Sequence, residues 1–329
     1  MIDLSIKYLG LSLKNPLIVG SSGLTNSVAD IKEIEKAGAG AVVLKSIFEE
    51  EIKMEYEHEL KNVFADESNL EHYDYLDYEI KEENVNKYLE LIKSCKKELK
   101  IPVIASINCI SSTEWVDFAK KIQEVGADAI ELNAFILPTN MERSSEQTEQ
   151  IYFNIADSIK RQVKIPVALK ISPYFSNLAK MIKQLSETAI EGIVLFNRFY
   201  NPDFDIDKKK IVSGEILSTP QDIAMSLRWV AIMSNMVSCD ISASTGVHDA
   251  KAMIKQLLAG ATSVQAVSTF YKHGVSYIET MLNELRKWME ENNYSKIDDF
   301  RAMMSQKNSK DAAHLERVQF MKYFGEKKH

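Results

Sequence analysis

Eight short apolar runs recur along the chain, separated by stretches with helical periodicity. The runs are Pro16–Ser21, Ala41–Ser46, Pro102–Ile107, Ala129–Asn133, Pro166–Ser172, Gly192–Asn197, Cys239–Ser244 and Ser263–Thr269. Nearly all are continuously apolar rather than alternating, as expected for parallel strands covered on both faces. Helices are expected at about Val28–Ala37, Glu83–Leu99, Thr113–Val125, Ser144–Val163, Ser176–Ala189, Pro220–Ser234, His248–Ala259 and Val275–Asn292. Three joints repeat one phrase: AGAGAVVLK (37–45), VGADAIELN (125–133) and AGATSVQAV (259–267). In each, a glycine can end a helix in the left-handed conformation before the chain drops into a strand. Eight parallel strands with helical crossovers imply a closed (β/α)8 TIM barrel. The rival is an open doubly wound sheet, disfavoured because no G-x-G-x-x-G follows the first strand.

Two segments break the alternation, and both leave the C-terminal ends of strands, where barrel active sites sit. Residues 48–82, after strand two, are acidic and rich in tyrosine, and read as a lid or an interface. Residues 199–217, after strand six, contain the polar excursion NPDFDIDKKK. With only 12 glycines and 7 prolines in 329 residues there is no flexible linker, so one domain over 1–329 is expected, with 275–329 a helical extension. A net charge of −7 argues against nucleic acid as a partner, which would need a cationic face. Cys95, Cys109 and Cys239 are far apart and offer no metal-ligand spacing, so no metal site is expected. No signal-peptide pattern and no membrane-length apolar run is evident, which makes a cytoplasmic protein the expectation.

In a barrel, the strand ends would face a ligand. They carry Ser21, Ser22 and Gly23, then Lys45 and Ser46, Asn108, Asn133, Lys170 and Ser172, and Asn197. A lysine ending an apolar strand needs a counter-charge, because a buried ammonium without one is expensive. Two such lysines fit an anionic cofactor, and the asparagines offer paired donors and acceptors to a flat heterocycle. The last two strands lead into the small-residue turns Ser242–Gly246 and Ser268–Thr269. Turns of this kind let backbone N–H groups approach a phosphate, and a helix from about His248 would add its dipole.

The ordered set PLIVGSSGLTN, VVLKS, PVIASINC, GADAIELN, PVALKISP, IVLFNR, SGEILSTP and ISASTGVHDAKAMIKQLLAGATSVQAVSTFYKHG resembles the dihydroorotate dehydrogenase family. It is most similar to the soluble branch and to the pyrimidine-binding domain of dihydropyrimidine dehydrogenase. The resemblance spans about residues 1–290. It implies FMN at the C-terminal face of a barrel, oxidation or reduction of a carbon–carbon bond beside a ring carbonyl, and a homodimer. By the same resemblance, Ser22, Gly23 and Ser46 lie near the flavin, and Lys45 contacts flavin and substrate. Asn133 and Asn197 hold the substrate beside the cofactor. Lys170 stands beside the flavin N1 and C2 carbonyl. Ser213–Gly214 match the family's S-G turn, and Thr245, Gly246, Ser268 and Thr269 bind the phosphate.

The chain departs from the family at the reacting end. The family's E-L-N-x-S-C-P-N reads Glu131-Leu132-Asn133-Ala134-Phe135-Ile136-Leu137-Pro138, so Ile136 occupies the position of the catalytic base. Isoleucine takes no proton. The family's N-x-x-G-L-P-N loop is also missing, its interval filled by the acidic segment at Glu71–Glu82. Substitute acids are sought in Tyr73, Tyr75, Tyr78, His72 or Cys109. The first expectation is an FMN oxidoreductase with an altered substrate or proton route and an unidentified electron acceptor. An orthodox dihydroorotate dehydrogenase with a relocated base is the alternative, and a non-catalytic flavin- or metabolite-binding protein is the reading of another class. If Asn133 and Asn197 still hold the substrate, Ile136→Cys is expected to raise dihydroorotate turnover.

Overall fold

The structure, a computed structural model, describes residues 2–47, 70–108, 114–199, 201–310 and 312–316. A hairpin comes first: β1 (Ile6–Tyr8) pairs antiparallel with β2 (Leu11–Leu13) through a turn in which Leu9 and Gly10 both have positive φ. Eight parallel strands then close into a barrel. They are β3 (Leu17–Val19), β4 (Ala41–Val43), β5 (Val103–Asn108), β6 (Ala129–Asn133), β7 (Val167–Ile171), β8 (Gly192–Leu195), β11 (Asp240–Ala243) and β12 (Ser263–Ala266). Between β8 and β11 the chain makes a second hairpin, β9 (Pro202–Asp205) with β10 (Lys210–Ser213). The barrel is therefore the (β/α)8 architecture that the apolar runs imply, with every strand where a run predicts it.

The helices are α1 (Val28–Lys36), α2 (Leu70–Glu98), α3 (Glu114–Glu124), α4 (Ser145–Lys160), α5 (Leu178–Ser186), α6 (Ile223–Met233), α7 (Ala250–Ala259), α8 (Ser268–His273), α9 (Tyr277–Glu291) and α10 (Ala313–Glu316). Two differ from the sequence reading. The helix expected from Glu83 begins at Leu70, so the last third of the expected insertion is helical. The segment LEHYDYLDYEIKEE has no glycine or proline to stop a helix propagating backwards. Ser268 and Thr269 do not form a turn after the last strand; they open the short helix α8. Helix α9 buries Ile278, Met281, Leu282, Leu285 and Met289 against the rest of the chain, and Ile297 and Phe300 continue that contact.

The barrel bottom is plugged by the first hairpin. Tyr8, Leu9 and Leu13 are buried against the inward side chains Ile18, Ala41, Val43, Ile104, Ala129, Ala168 and Val194. Asp240 accepts from the Leu9 backbone N–H at 2.8 Å and ties the plug to β11. Because side chains alternate along a strand, Glu131 and Asn133 continue the inward face of Ala129, and Lys170 continues that of Ala168. An apolar lower layer thus passes upward into a polar one. No described helix is long and apolar enough to cross a membrane.

Candidate active site

Strand register builds the site. Asn108 pairs with Asn133 and Asn133 with Lys170, so three polar residues stand side by side at the C-terminal rim. Above them is a cavity of about 350 Å³, within the size range of small-molecule sites. Ser22, Gly23, Lys45, Ser46, Asn133, Lys170, Asn197, Thr245, Gly246 and Ser268 all line it. The carboxamide of Asn197 donates to the carbonyls of Lys170 and Ala134 at 3.3 and 3.4 Å, which fixes its plane. The Oδ1 atoms of Asn108 and Asn133 are buried without a hydrogen-bond partner among the described residues.

Lys170 is held from below and across. Its Nζ lies 3.5 Å from Oε1 of Glu131 and donates to Oε1 of Gln265 at 3.1 Å. Gln265 in turn donates to the other Glu131 oxygen at 2.5 Å. Glu131 and Gln265 were not singled out in the sequence, although a glutamate inside the apolar run AIELN and a glutamine inside SVQAV were the available signals. At the opposite wall, hydroxyls chain through the strand ends. Ser21 contacts Ser46 at 3.0 Å and Ser46 contacts Ser106 at 2.7 Å.

The other end of the cavity is the Ser244–Val247 turn. Thr245 and Gly246 both adopt positive φ, 76° and 75°. A Cβ on Gly246 would sit 2.0 Å from the Ile223 nitrogen, so α6 packs where only glycine leaves room. The N–H groups of Gly246 and Val247 are not donated to any acceptor among the described residues. The helix dipole expected beyond the turn is answered within the chain, because Asp249 caps α7 through the Ala252 N–H. Ser218 bonds Nε2 of His248 at 2.9 Å, and its backbone N–H donates to Ser268 Oγ at 2.9 Å. Burial first, and the Lys272 ammonium second, hold the His248 imidazole below its ordinary pKa.

Three expected site residues lie apart from the cavity lining. Ser213 and Gly214 end the β9–β10 hairpin, with Ser213 exposed and Gly214 packed on the Asn201 carbonyl. Thr269 is fully buried and donates to the His248 carbonyl at 2.8 Å. Sequence reading also passed over Arg198, which lines the cavity while its guanidinium donates to the carbonyls of Glu215 and Ile216.

The roof is of a different character. Ile136 packs against the main hydrophobic core and does not line the cavity. Phe135 stacks on Phe199 with centroids 4.0 Å apart, and Tyr174 meets Phe199 edge-on at 4.8 Å. Tyr174 and Phe199 line an adjoining chamber of about 200 Å³ that shares Phe196, Asn197 and Arg198 with the main cavity. No cysteine, histidine, tyrosine or carboxylate is among the described residues lining the main cavity. Cys109 and the side chains of His72, Tyr73, Tyr75 and Tyr78 lie outside the described residues. Cys95 and Cys239 are free thiols, which burial lifts to about 11 and about 12, so neither is a thiolate at neutral pH.

A barrel with a basic, amide-rich floor and a small-residue turn between its last two strands defines a class of sites suited to an anionic ligand, and comparison with known proteins narrows it. Residues 3–289 match the family model described as dihydroorotate dehydrogenase, and the chain belongs to that family. It is 28% identical to the catalytic subunit of dihydroorotate dehydrogenase B (NAD(+)) of Thermoplasma volcanium, over 91% of this chain and 97% of that one. It is 24% identical to a putative dihydroorotate dehydrogenase A (fumarate) of Aeropyrum pernix, over 90% of this chain and 96% of that one. It is also 24% identical to the NAD-dependent dihydropyrimidine dehydrogenase subunit PreA of Escherichia coli, over 90% of this chain and 75% of that one.

Proposed function

We propose that this protein is an FMN-dependent oxidoreductase acting on a carbon–carbon bond of a pyrimidine-type substrate, with a substrate or proton route that differs from orthodox dihydroorotate oxidation. The observation that carries this reading is the mixed lining of one cavity. Uncommitted N–H groups of Gly246 and Val247 share it with Lys45, Asn133, Lys170 and Asn197. The residues fit the cofactor. The free N–H groups suit a phosphate, and the orphaned Oδ1 of Asn133 suits a ring N–H, since a buried acceptor left unmade costs about 1–3 kcal/mol. Bound FMN would supply the acceptor or donor of a hydride. The chain itself would orient the substrate through Asn133, Asn197 and Lys45, and place the Lys170 ammonium against the flavin pyrimidine ring.

The described cavity lining supplies no base at the position where the family's stands, which favours the altered proton route. The same observation supports a second reading, a flavin-binding protein without turnover. Chromatography of the chromophore released on denaturation tests the cofactor, with FMN as the expected result. If neither bound FMN nor uptake of added FMN were seen, the cofactor assignment would fail. Photoreduction followed by rapid mixing with fumarate, and mixing of the oxidised protein with dihydroorotate or dihydrouracil, separates the readings. Slow or absent exchange with dihydroorotate alongside transfer to another partner supports the first, and no transfer to any supports the second.

The protein is further proposed to work in the cytoplasm and as a homodimer, joined through the β9–β10 hairpin. Phe204, Ile206 and Ile211 lie on that hairpin with exposures of 68%, 83% and 71%. The register pairs Phe204 with Ile211 across the strands, and an apolar patch of this kind marks an interaction site. Three aspartates and three lysines leave the same hairpin without net charge, so no net charge opposes the meeting of two copies.

A further inference from the structure

A buried carboxylate and a buried glutamine hold the one lysine that the proposed function sets against the flavin. Glu131 is 1% exposed and comes from β6. Lys170 is its neighbour on β7, with a side chain 12% exposed. Gln265 comes from β12, on the far side of the closed barrel from both. Its amide spans the interior, accepting from Lys170 at 3.1 Å and donating to Glu131 at 2.5 Å. The three groups form a closed triangle with the ion pair as its third side, at 3.5 Å.

A plug for the barrel would not be built this way. Replacing a buried ion pair by apolar side chains of similar volume is often neutral or stabilising, and the layer just below is apolar. Glu131 Oε1 has no hydrogen bond among the described residues and faces the Lys170 ammonium only as an ion pair at 3.5 Å, a looser geometry than a buried pair needs to offset its desolvation. Beneath it, burial raises the Tyr8 phenol well above its ordinary pKa, and the Glu131 charge adds to that rise. A charge kept in so unfavourable a place has an effect elsewhere, and Lys170, which reaches the cavity, is the group through which that effect can leave the barrel interior.

We infer that Glu131, clamped by Gln265, is a positioning residue that fixes the Lys170 ammonium and sets how much of its charge the flavin ring meets. This rests on the FMN reading above. With Glu131 present the pair is neutral in sum, and reduced anionic flavin gains little from it beyond the local dipole. Removing the carboxylate leaves a net positive charge under the ring and lets the lysine swing toward it. Glu131→Gln, with FMN loaded, is therefore expected to shift the ratio of reduced to oxidised flavin at a fixed potential by about tenfold or more. For a two-electron couple that is a rise of about 30 mV.

The experiment is a dye-equilibrated titration of FMN-loaded wild type, Glu131→Gln, Lys170→Ala and the double variant. The expected result is a raised potential in Glu131→Gln, a lowered one in Lys170→Ala, and a Glu131→Gln shift at least halved when Lys170 is absent. Equal shifts with and without the lysine would make Glu131 an independent charge and overturn the positioning role. An unchanged or lowered potential in FMN-loaded Glu131→Gln would overturn the inference outright. Should Glu131→Gln fail to fold, Glu131→Asp keeps the charge but withdraws it by one methylene. It is expected to raise the potential by less, and no rise there would overturn the inference equally. Wild type that neither contains nor takes up FMN overturns the cofactor reading and this inference together, whereas an unmoved potential on bound flavin overturns this inference alone.

Discussion

The floor and the roof of the cavity were built to different rules. On the floor, polar groups are buried, paired and crossed between strands: Lys170 with Glu131 and Gln265, Asn197 with two carbonyls, Ser46 with Ser21 and Ser106. On the roof, the loops after β6 and β7 and the excursion after β8 present Phe135, Tyr174 and Phe199 in turn, with Ile136 turned into the core. A floor of this kind can hold an anionic cofactor and tune it. Among the described residues the roof offers contact area, and the titratable Tyr174 and Asp222 line the adjoining chamber rather than the main cavity. Under the proposed function, cofactor binding and substrate chemistry therefore fall to different parts of this barrel.

The sharpest way to break that contrast is turnover. A positioned base contributes about 10²–10⁴-fold, so dihydroorotate oxidation is expected to fall below that of a competent relative by about that factor. A steady-state assay with matched acceptors checks it, and turnover equal to the relative's would show that a base reaches the cavity from residues 48–82 or 109–113. The structure also changes the expectation for Ile136→Cys. Because Ile136 packs on the core rather than lining the cavity, that substitution alone is expected to recover little activity. A recovery of about a hundredfold, within the usual span for a positioned base, would mean that the loop after β6 swings over the bound substrate.

The next effect concerns the turn at 244–247, the proposed phosphate site. Gly246→Ala places a Cβ 2.0 Å from the Ile223 nitrogen at a φ of 75°. Strain at such a position is expected to cost roughly 3 kcal/mol, with FMN retention falling alongside. Thermal melts and flavin content measure both. A variant as stable and as yellow as wild type would show that the turn at 244–247 is not the rigid element described here.

Much of the floor is legible in the sequence. Continuous apolar runs ending in Lys45, Asn133, Lys170 and Asn197 located the strand ends, because a polar residue at the end of a buried strand has few other places to be. Glu131 and Gln265 were not legible, since their roles depend on a contact across the barrel that no local pattern encodes. The plug was missed for a related reason: β1 and β2 are three residues each, too short for periodicity to register. The roof was legible only as an irregularity. The sequence NPDFDIDKKK reads as polar, yet antiparallel register places Phe204 opposite Ile211 and makes one apolar patch from separated residues.

That patch gives a smaller effect, on the roof side of the comparison. Phe204→Asp is expected to shift the protein from dimer toward monomer in sedimentation, while leaving the fold and flavin content unchanged. A wild type that sediments as a monomer, or a variant that remains dimeric, would remove the hairpin from the interface and leave its exposed face unexplained.

The smallest effect returns to the floor, at His248. The imidazole is buried, bonded to Ser218, and held below its ordinary pKa of 6.5 by desolvation and then by the Lys272 charge. A group whose native pKa is depressed binds fewer protons folded than unfolded in the window between the two values, so stability there rises with pH. The contribution is complete above the unfolded value and is lost as pH falls below it through the native pKa. His248→Gln keeps a side chain able to bond Ser218 but cannot take up a proton. Its melting temperature is therefore expected to depend less on pH than that of wild type below about 6.5, with the two curves running parallel above neutrality. Scanning thermal denaturation from pH 5 to 8 in low-salt and high-salt buffers checks this, because the Lys272 part of the shift is screened by salt and the burial part is not. Parallel curves over the whole range would mean that His248 takes its proton in the folded protein as readily as in the unfolded chain, and that the surroundings of His248 and Ser218 are wetter than their contacts imply.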